Sequence, residues 1–177
     1  MSATSTASER LAGQWRFAPV HSAAEFSVKY VVAKFRGSFG ELDASLENGV
    51  LSGSAQVASV SVKDQNLYPH LQSPDFFDAE QHPEIKFRST SIDIQGDQVE
   101  LDGELEMKGN TRPIHASGTI EGPVEDAMGN TRLGFTLETK VDRTEFGLNW
   151  NAELPKGGPS LSNEVVLTVE LEFHKVS

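Results

Sequence analysis

Five stretches of this chain alternate apolar and polar residues with a period of two, and each keeps its charges on one side. From Ala24, AEFSVKYV sets Ala24, Phe26, Val28 and Tyr30 against Glu25, Ser27 and Lys29. QVELDGELEM sets Val99, Leu101, Gly103, Leu105 and Met107 against Glu100, Asp102, Glu104 and Glu106. RPIHASGTIEG, RLGFTLETKVDR and NEVVLTVELEFHK repeat the pattern, with Ile114, Leu137 and Phe173 on their apolar faces. Alternation of this kind marks half-buried strands. Polar turn sequences such as Glu47-Asn48-Gly49, Gln95-Gly96-Asp97, Lys108-Gly109-Asn110 and Met128-Gly129-Asn130 separate them. Each strand has one water-facing side, and no second set of apolar faces exists to build a second layer. Such a sheet must either close on itself or be covered by helices, and the chain has no long helical pattern. The expected fold is all-β: an extended antiparallel up-and-down β-barrel of about eight strands, lipocalin-like, whose interior has room for side chains or one ligand.

Residues 63–83 break the period. Asp64 is placed to cap a short helix with Leu67, Leu71 and Phe76 or Phe77 on its apolar side, and Ser73-Pro74 starts a second turn. This predicts a short helical insert across one barrel mouth. Phe76 and Phe77 would turn inward there, with His70, Asp75, Asp78 and Glu80 facing water. Residues 1–12 are small, polar and Ser/Thr-rich and read as a disordered tail; 13–177 form the barrel domain. The tail has neither the apolar nor the basic segment of a secretory signal. A chain that begins at its natural methionine is therefore expected in the cytoplasm, and a trimmed one in the periplasm or outside the cell.

Composition excludes several classes. The formal charge is −11, from 26 acids and 15 Lys and Arg residues, which disfavours nucleic acid and anionic membrane surfaces. No apolar run approaches the roughly 20 residues of a membrane span, so no stable membrane insertion is expected. There is no cysteine, hence no disulfide and no thiolate site. The five histidines, His21, His70, His82, His115 and His174, show no ligand spacing, so no metal is expected. His115 and His174 fall on polar strand faces, and His21 beside Ser22 reads as a structural hydrogen-bonding residue. No G-x-S-x-G elbow, converging carboxylate pair or phosphate-binding glycine loop appears. The acids of QVELDGELEM point outward and read as solubility and edge protection.

The aromatic residues that remain are core or lumen by their own pattern. Small inward residues, Ala24, Ala55, Gly103, Ala116, Gly118 and Thr139, leave space beside them, but periodicity alone leaves open whether side chains or a ligand fill it. An interaction module with a side-chain-filled lumen, and an enzyme acting on a lipid inside the barrel, are the other readings.

One set of blocks narrows this. The chain carries Trp15-Arg16-Phe17, His21-Ser22, Phe26-Ser27-Val28-Lys29-Tyr30 and Gly37-Ser38-Phe39-Gly40. Leu71-Gln72-Ser73-Pro74-Asp75-Phe76-Phe77-Asp78, Glu84-Ile85-Lys86-Phe87, Leu105 to Ile114 and Asp142 to Asn151 follow in order. This resembles the YceI-like family, lipocalin-like polyisoprenoid-binding proteins of bacteria, from about Gly13 to the C-terminus. The resemblance implies a barrel whose lumen holds a long isoprenoid chain, quinone or prenol, for transport or storage, without covalent chemistry and without a cofactor. Family members are associated with stress responses, and many carry a secretory signal. Many are dimeric, which leaves a homodimer open here. Tyr30 stands where the family often has His. The expected ligand-binding residues are Phe26, Val28, Phe35, Phe39, Phe76, Phe77, Leu105, Ile114, Phe135, Leu137, Phe146 and Trp150. Arg143, Asn149, Trp150 and Asn151 are candidates for the polar rim, or for a hydrogen-bonded strand end.

Overall fold

The five alternating runs are strands in the computed structural model, which describes residues 9–176. They correspond to β2 (Ala23–Tyr30), β8 (Gln98–Met107), β9 (Asn110–Glu125), β10 (Thr131–Asp142) and β11 (Leu161–Lys175). The remaining strands are β1 (Gln14–Phe17), β3 (Ala33–Phe39), β4 (Leu42–Glu47), β5 (Val50–Gln56), β6 (Val60–Val62) and β7 (Glu84–Gln95). Every pairing is antiparallel. β1 and β2 run in succession along β11, β4 and β3 pair with β5 and β6, and β1 pairs with both β4 and β11. The pairs β1/β2, β3/β4 and β5/β6 are thus three long strands, each broken once. With β7 to β11 they close an up-and-down barrel of eight.

Local chemistry explains the breaks and turns. At the first break Pro19 starts a 3-10 turn, Pro19–His21. The Ser22 hydroxyl then donates to Ala18 O at 2.9 Å and accepts from Glu172 N–H at 3.1 Å, filling a gap in the ladder. In the β4–β5 and β8–β9 hairpins, Asn48-Gly49 and Lys108-Gly109 all have positive φ, the geometry whose twist matches the flanking strands.

Two apolar cores stack along the barrel axis. The first, at the end holding the β4–β5 and β7–β8 turns, packs Trp15, Leu46, Ile94, Ile120, Phe135 and Phe173. The second lies toward the other end and includes Phe39, Val62, Leu71, Phe77, Leu105 and Phe146. Of the tail expected over residues 1–12, residues 1–8 lie outside the described residues. Arg10 and Leu11, expected in that tail, are instead docked. Leu11 is 1% exposed in the first core, where its burial beside Trp15 is favoured over leaving it in water. The Arg10 guanidinium donates to Gly122 O and Gly96 O.

The insert does lie across a mouth. Asp64 caps a 3-10 turn, Gln65–Leu67, by accepting from Asn66 N–H at 3.1 Å. Helix α1 (Tyr68–Gln72) follows with Pro69 in its first turn and Leu71 buried. After it, Ser73 starts a turn rather than a helix, its hydroxyl accepting from Asp75 N–H. The insert is tied to the wall: Tyr68 OH donates to Ala58 O at 2.7 Å and Gln72 Nε2 to Val57 O at 2.9 Å.

Candidate functional site

Between the two cores and under the insert lies a chamber of about 490 Å³, within the range of small-molecule sites. Its wall is almost wholly apolar. The lumen is therefore not filled by side chains. Ten of the twelve expected residues reach the chamber: Phe26, Val28, Phe35, Phe39, Phe76, Phe77, Leu105, Ile114, Leu137 and Trp150. Two do not. Phe135 faces inward but sits too low, edge-on to Phe173 at 6.2 Å in the packed floor. Phe146 ends a 3-10 turn, Arg143–Phe146, and is 1% exposed within the second core.

The room comes from only some of the small residues. Ala24, Ala55, Ala116 and Thr139 line the chamber, and Thr139 Oγ1 donates to His115 O at 2.6 Å. Gly103 and Gly118, expected to leave space, do not. A Cβ on Gly103 would stand 2.5 Å from Arg88 O and from the Phe87 ring, which lies over it. A Cβ on Gly118 would overlap Thr136 O. Residues missed by sequence reasoning are Ala44, Leu51 and Gly53 on the β4–β5 pair and Val165 and Leu167 on β11. At Gly53 a Cβ would meet only Asp43 O at 3.5 Å and Ala44 Cβ at 3.9 Å, so the lumen is open there. The row of small inward residues Ala44, Gly53 and Ala55 was the available clue.

The rim joins the insert to the β10–β11 connection. His70 meets Phe76 and Trp150 edge-on, each at 4.9 Å between ring centroids, and Phe76 lies 5.5 Å from Trp150. His70 Nε2 is 3.0 Å from Asp75. His70 therefore lines the chamber mouth rather than simply facing water. Phe77 reaches deeper, edge-on to Phe39 at 6.0 Å. Tyr30 lines the mouth beside the end of this connection, paired with Leu161, and is half exposed.

Of the polar rim candidates, Arg143 and Trp150 line the chamber and Asn149 and Asn151 do not. Arg143 is 4% exposed. Its guanidinium donates to Ser162 O at 2.8 Å, to Trp150 O at 2.9 Å and to Leu148 O. Burial pushes it below the ordinary arginine value, with adjacent Asp142 opposing. Asn151 accepts from Ser160 N–H and Leu161 N–H at 2.9 Å. Both residues thus organise the loop over 143–161. Lys108 Nζ, donating to Pro74 O and Gly147 O, clasps this loop to the insert.

Three histidines outside the rim sit beside acids. His115 lies between Asp102 at 2.8 Å and Glu100 at 2.6 Å, and these bonds, Asp102 first, raise its pKa above 6.5. β8 is an interior strand of the barrel, so its acids protect no sheet edge; two of them hold His115 instead. His21 and His174 both contact Glu172, at 3.3 and 2.8 Å. Among the described residues no group of three or more His, Asp or Glu side chains is placed to hold a metal.

A closed antiparallel barrel with a packed floor, one apolar chamber and a short lid defines a lipocalin-like barrel. The chain belongs to the YceI-like domain family, whose model matches residues 15–173. It is 26% identical over 180 residues to a UPF0312 protein of Pectobacterium atrosepticum, covering 96% of this chain and 92% of that one. With a UPF0312 protein of Photorhabdus laumondii it shares 30% identity over 138 residues, 78% of this chain and 69% of the relative. Among solved structures, BcnA of Burkholderia cenocepacia superposes with a TM-score of 0.73 at 18% identity, over 88% of this chain and 98% of that one. A polyisoprenoid-binding domain from Saccharophagus degradans superposes with a TM-score of 0.70 at 11% identity, over 92% and 98%.

Proposed function

We propose that this protein binds a long-chain polyisoprenoid lipid, an isoprenoid quinone or prenol, tail-first in its chamber, and carries or stores it without reacting with it. The apolar chamber of about 490 Å³ carries this reading. If the cost of about 24 cal/mol per Å³ known for engineered core cavities applied, a dry and empty space of that size would cost up to about 12 kcal/mol. That is comparable with the whole stability of a domain, so an apolar guest is the natural occupant. A tail burying about 400 Å² would gain about 10 kcal/mol before ordering costs. Membership in the YceI-like family and the likeness to a polyisoprenoid-binding domain support the choice of tail. The N–H groups of Arg143 are directed at carbonyls, which suits a neutral headgroup at the rim beside Tyr30, His70 and Trp150. Thr139, a hydroxyl on the wall, is already bonded to His115 O, in keeping with holding rather than chemistry.

Mass spectrometry of a solvent extract of natively purified protein tests this. A stoichiometric polyprenyl compound is expected, and its headgroup separates quinone from prenol. A clean extract, from protein that also fails to take up added isoprenoid quinone, would refute the reading.

A further inference from the structure

The β2–β3 hairpin projects from the chamber mouth with an apolar tip. Val32 is 90% exposed, Tyr30 47% and Val31 41%. Val31 holds φ at +56°, a left-handed conformation that is costly for a β-branched residue and easy for glycine or asparagine. Its N–H bonds Ser160 O at 2.8 Å, tethering the tip to the rim loop. Just below the tip, Lys29 and Lys34 face each other across the hairpin, an arrangement that opposes folding. Arg36 follows on the same outer face of β3, and Lys63 comes directly after β6, the neighbour of β3. Among the described residues, Lys29, Lys34, Arg36 and Lys63 form no ion pair. Residues 26–40 hold three cations and no acid, in a chain of net charge −11. The nearby acids Asp64 and Glu164 leave these cations unpaired; Asp64 is engaged as a turn cap.

A strained apolar tip above an unneutralised basic collar has no folding rationale. We propose that this hairpin docks the chamber mouth onto an anionic lipid bilayer, with Tyr30, Val31 and Val32 in the interface and Lys29, Lys34, Arg36 and Lys63 against headgroup phosphates. Apolar insertion combined with a basic collar is the general recipe for reversible interfacial binding. The low average charge does not forbid this. It repels the acidic barrel flanks from the bilayer, so the mouth is the end that approaches. Tyr30 belongs both to the tip and to the chamber wall, on the same strand face as Val28 and Phe26, giving a continuous apolar path from bilayer to chamber.

Cosedimentation with vesicles of phosphatidylglycerol mixed equally with phosphatidylcholine, against phosphatidylcholine alone, tests docking without reading lipid uptake. Binding to the anionic vesicles only is expected. Each cation contributes about fivefold, so K34E with R36E should weaken binding at least about twentyfold. V32D should weaken it about tenfold, and R16E, at the far end of the barrel, should leave it unchanged. These side chains are exposed, and circular dichroism melts confirm that the variants remain folded. Absence of anionic vesicle binding, or binding indifferent to K34E/R36E and V32D, overturns the proposal. So does a protein dimer that V32D dissociates while vesicles do not pellet it, because the tip would then cover a second copy. None of these failures bears on lipid extracted from the chamber.

Discussion

Two glycines on inward strand faces should respond oppositely to the same kind of substitution. Gly53 and Gly103 both sit at interior positions, but Phe87 lies over Gly103 and leaves Gly53 uncovered. Gly53→Leu would place four carbons in the chamber, worth about 3 kcal/mol at about 0.8 kcal/mol per carbon. Replacing a strand glycine adds about 0.5–1 kcal/mol, and ordering the leucine costs about the same. The ligand-free protein should gain about 2–3 kcal/mol, or about 5–10 °C in Tm at this size. Gly103→Ala must displace both the Phe87 ring and the Arg88 carbonyl, each 2.5 Å from the new Cβ, and should lose about 1–3 kcal/mol. Binding separates them further. The leucine takes space from the guest, and forfeiting about three methylenes of burial weakens an isoprenoid quinone about 50-fold. Melts of delipidated protein read the stabilities, and quenching of Trp150 fluorescence by the quinone reads the affinity. A Gly53→Leu protein that is less stable, or that binds as well as the parent, would refute the chamber as described.

Other expectations follow from single contacts. Arg143→Leu strands carbonyls of Leu148, Trp150 and Ser162 and should cost at least about 3 kcal/mol in urea melts; an unchanged midpoint would show that the loop closes without it. Phe76→Ala loses a half-buried rim contact worth about 1 kcal/mol and should speed ligand release more than unfolding, whereas Phe77→Ala should cost about 3 kcal/mol in stability; identical effects would place both in the core. His115 should titrate above 6.5 by NMR. Its contribution to stability is complete below pH 6.5 and is lost as pH rises through the raised folded value; titration at or below 6.5 would exclude the Asp102 and Glu100 bonds. Asp126 is held down to about 2, first by Asn130 N–H and then by Arg132. Its contribution is present above pH 3.8 and lost as pH falls through about 2, so Asp126→Asn should flatten that acid limb.

β2 and β8 to β11 were legible because their alternation is strong; β8 begins and ends where QVELDGELEM does. β1 and β3 to β6 were not, because they are short and broken, and neither was β7, long but interrupted by the Ser89-Thr90-Ser91 stretch where its register shifts. A period of two tells which face a residue occupies but not its height along the barrel, so Phe135 was placed with the guest rather than in the floor. It says equally little about neighbours, which is why Gly103 looked like space and Gly53 was passed over. The insert was readable from Asp64 and its proline, but a five-residue helix carries too little pattern to orient His70. The rim contacts join the insert to residues nearly eighty positions away, a distance no local pattern spans.

The breaks in three consecutive strands, at 18–22, 40–41 and 57–59, divide the wall unequally. The side made by β7 to β11 consists of unbroken strands with single register shifts at 89–91 and 132–134, whereas the side made by β1 to β6 is segmented. A vessel with one stiff flank and one jointed flank has an adjustable girth. Its capacity is then governed by short stretches, such as Ser22 and Gly40, that bridge the joints and do not line the chamber. Hydrogen exchange should register this as amides of β2, β3 and β6 opening well before those of β8 to β10. Uniform protection around the circumference would mean a rigid cup instead. Under the proposed function, relatives that differ at the joints would differ in the length of guest they accept while keeping identical chamber walls.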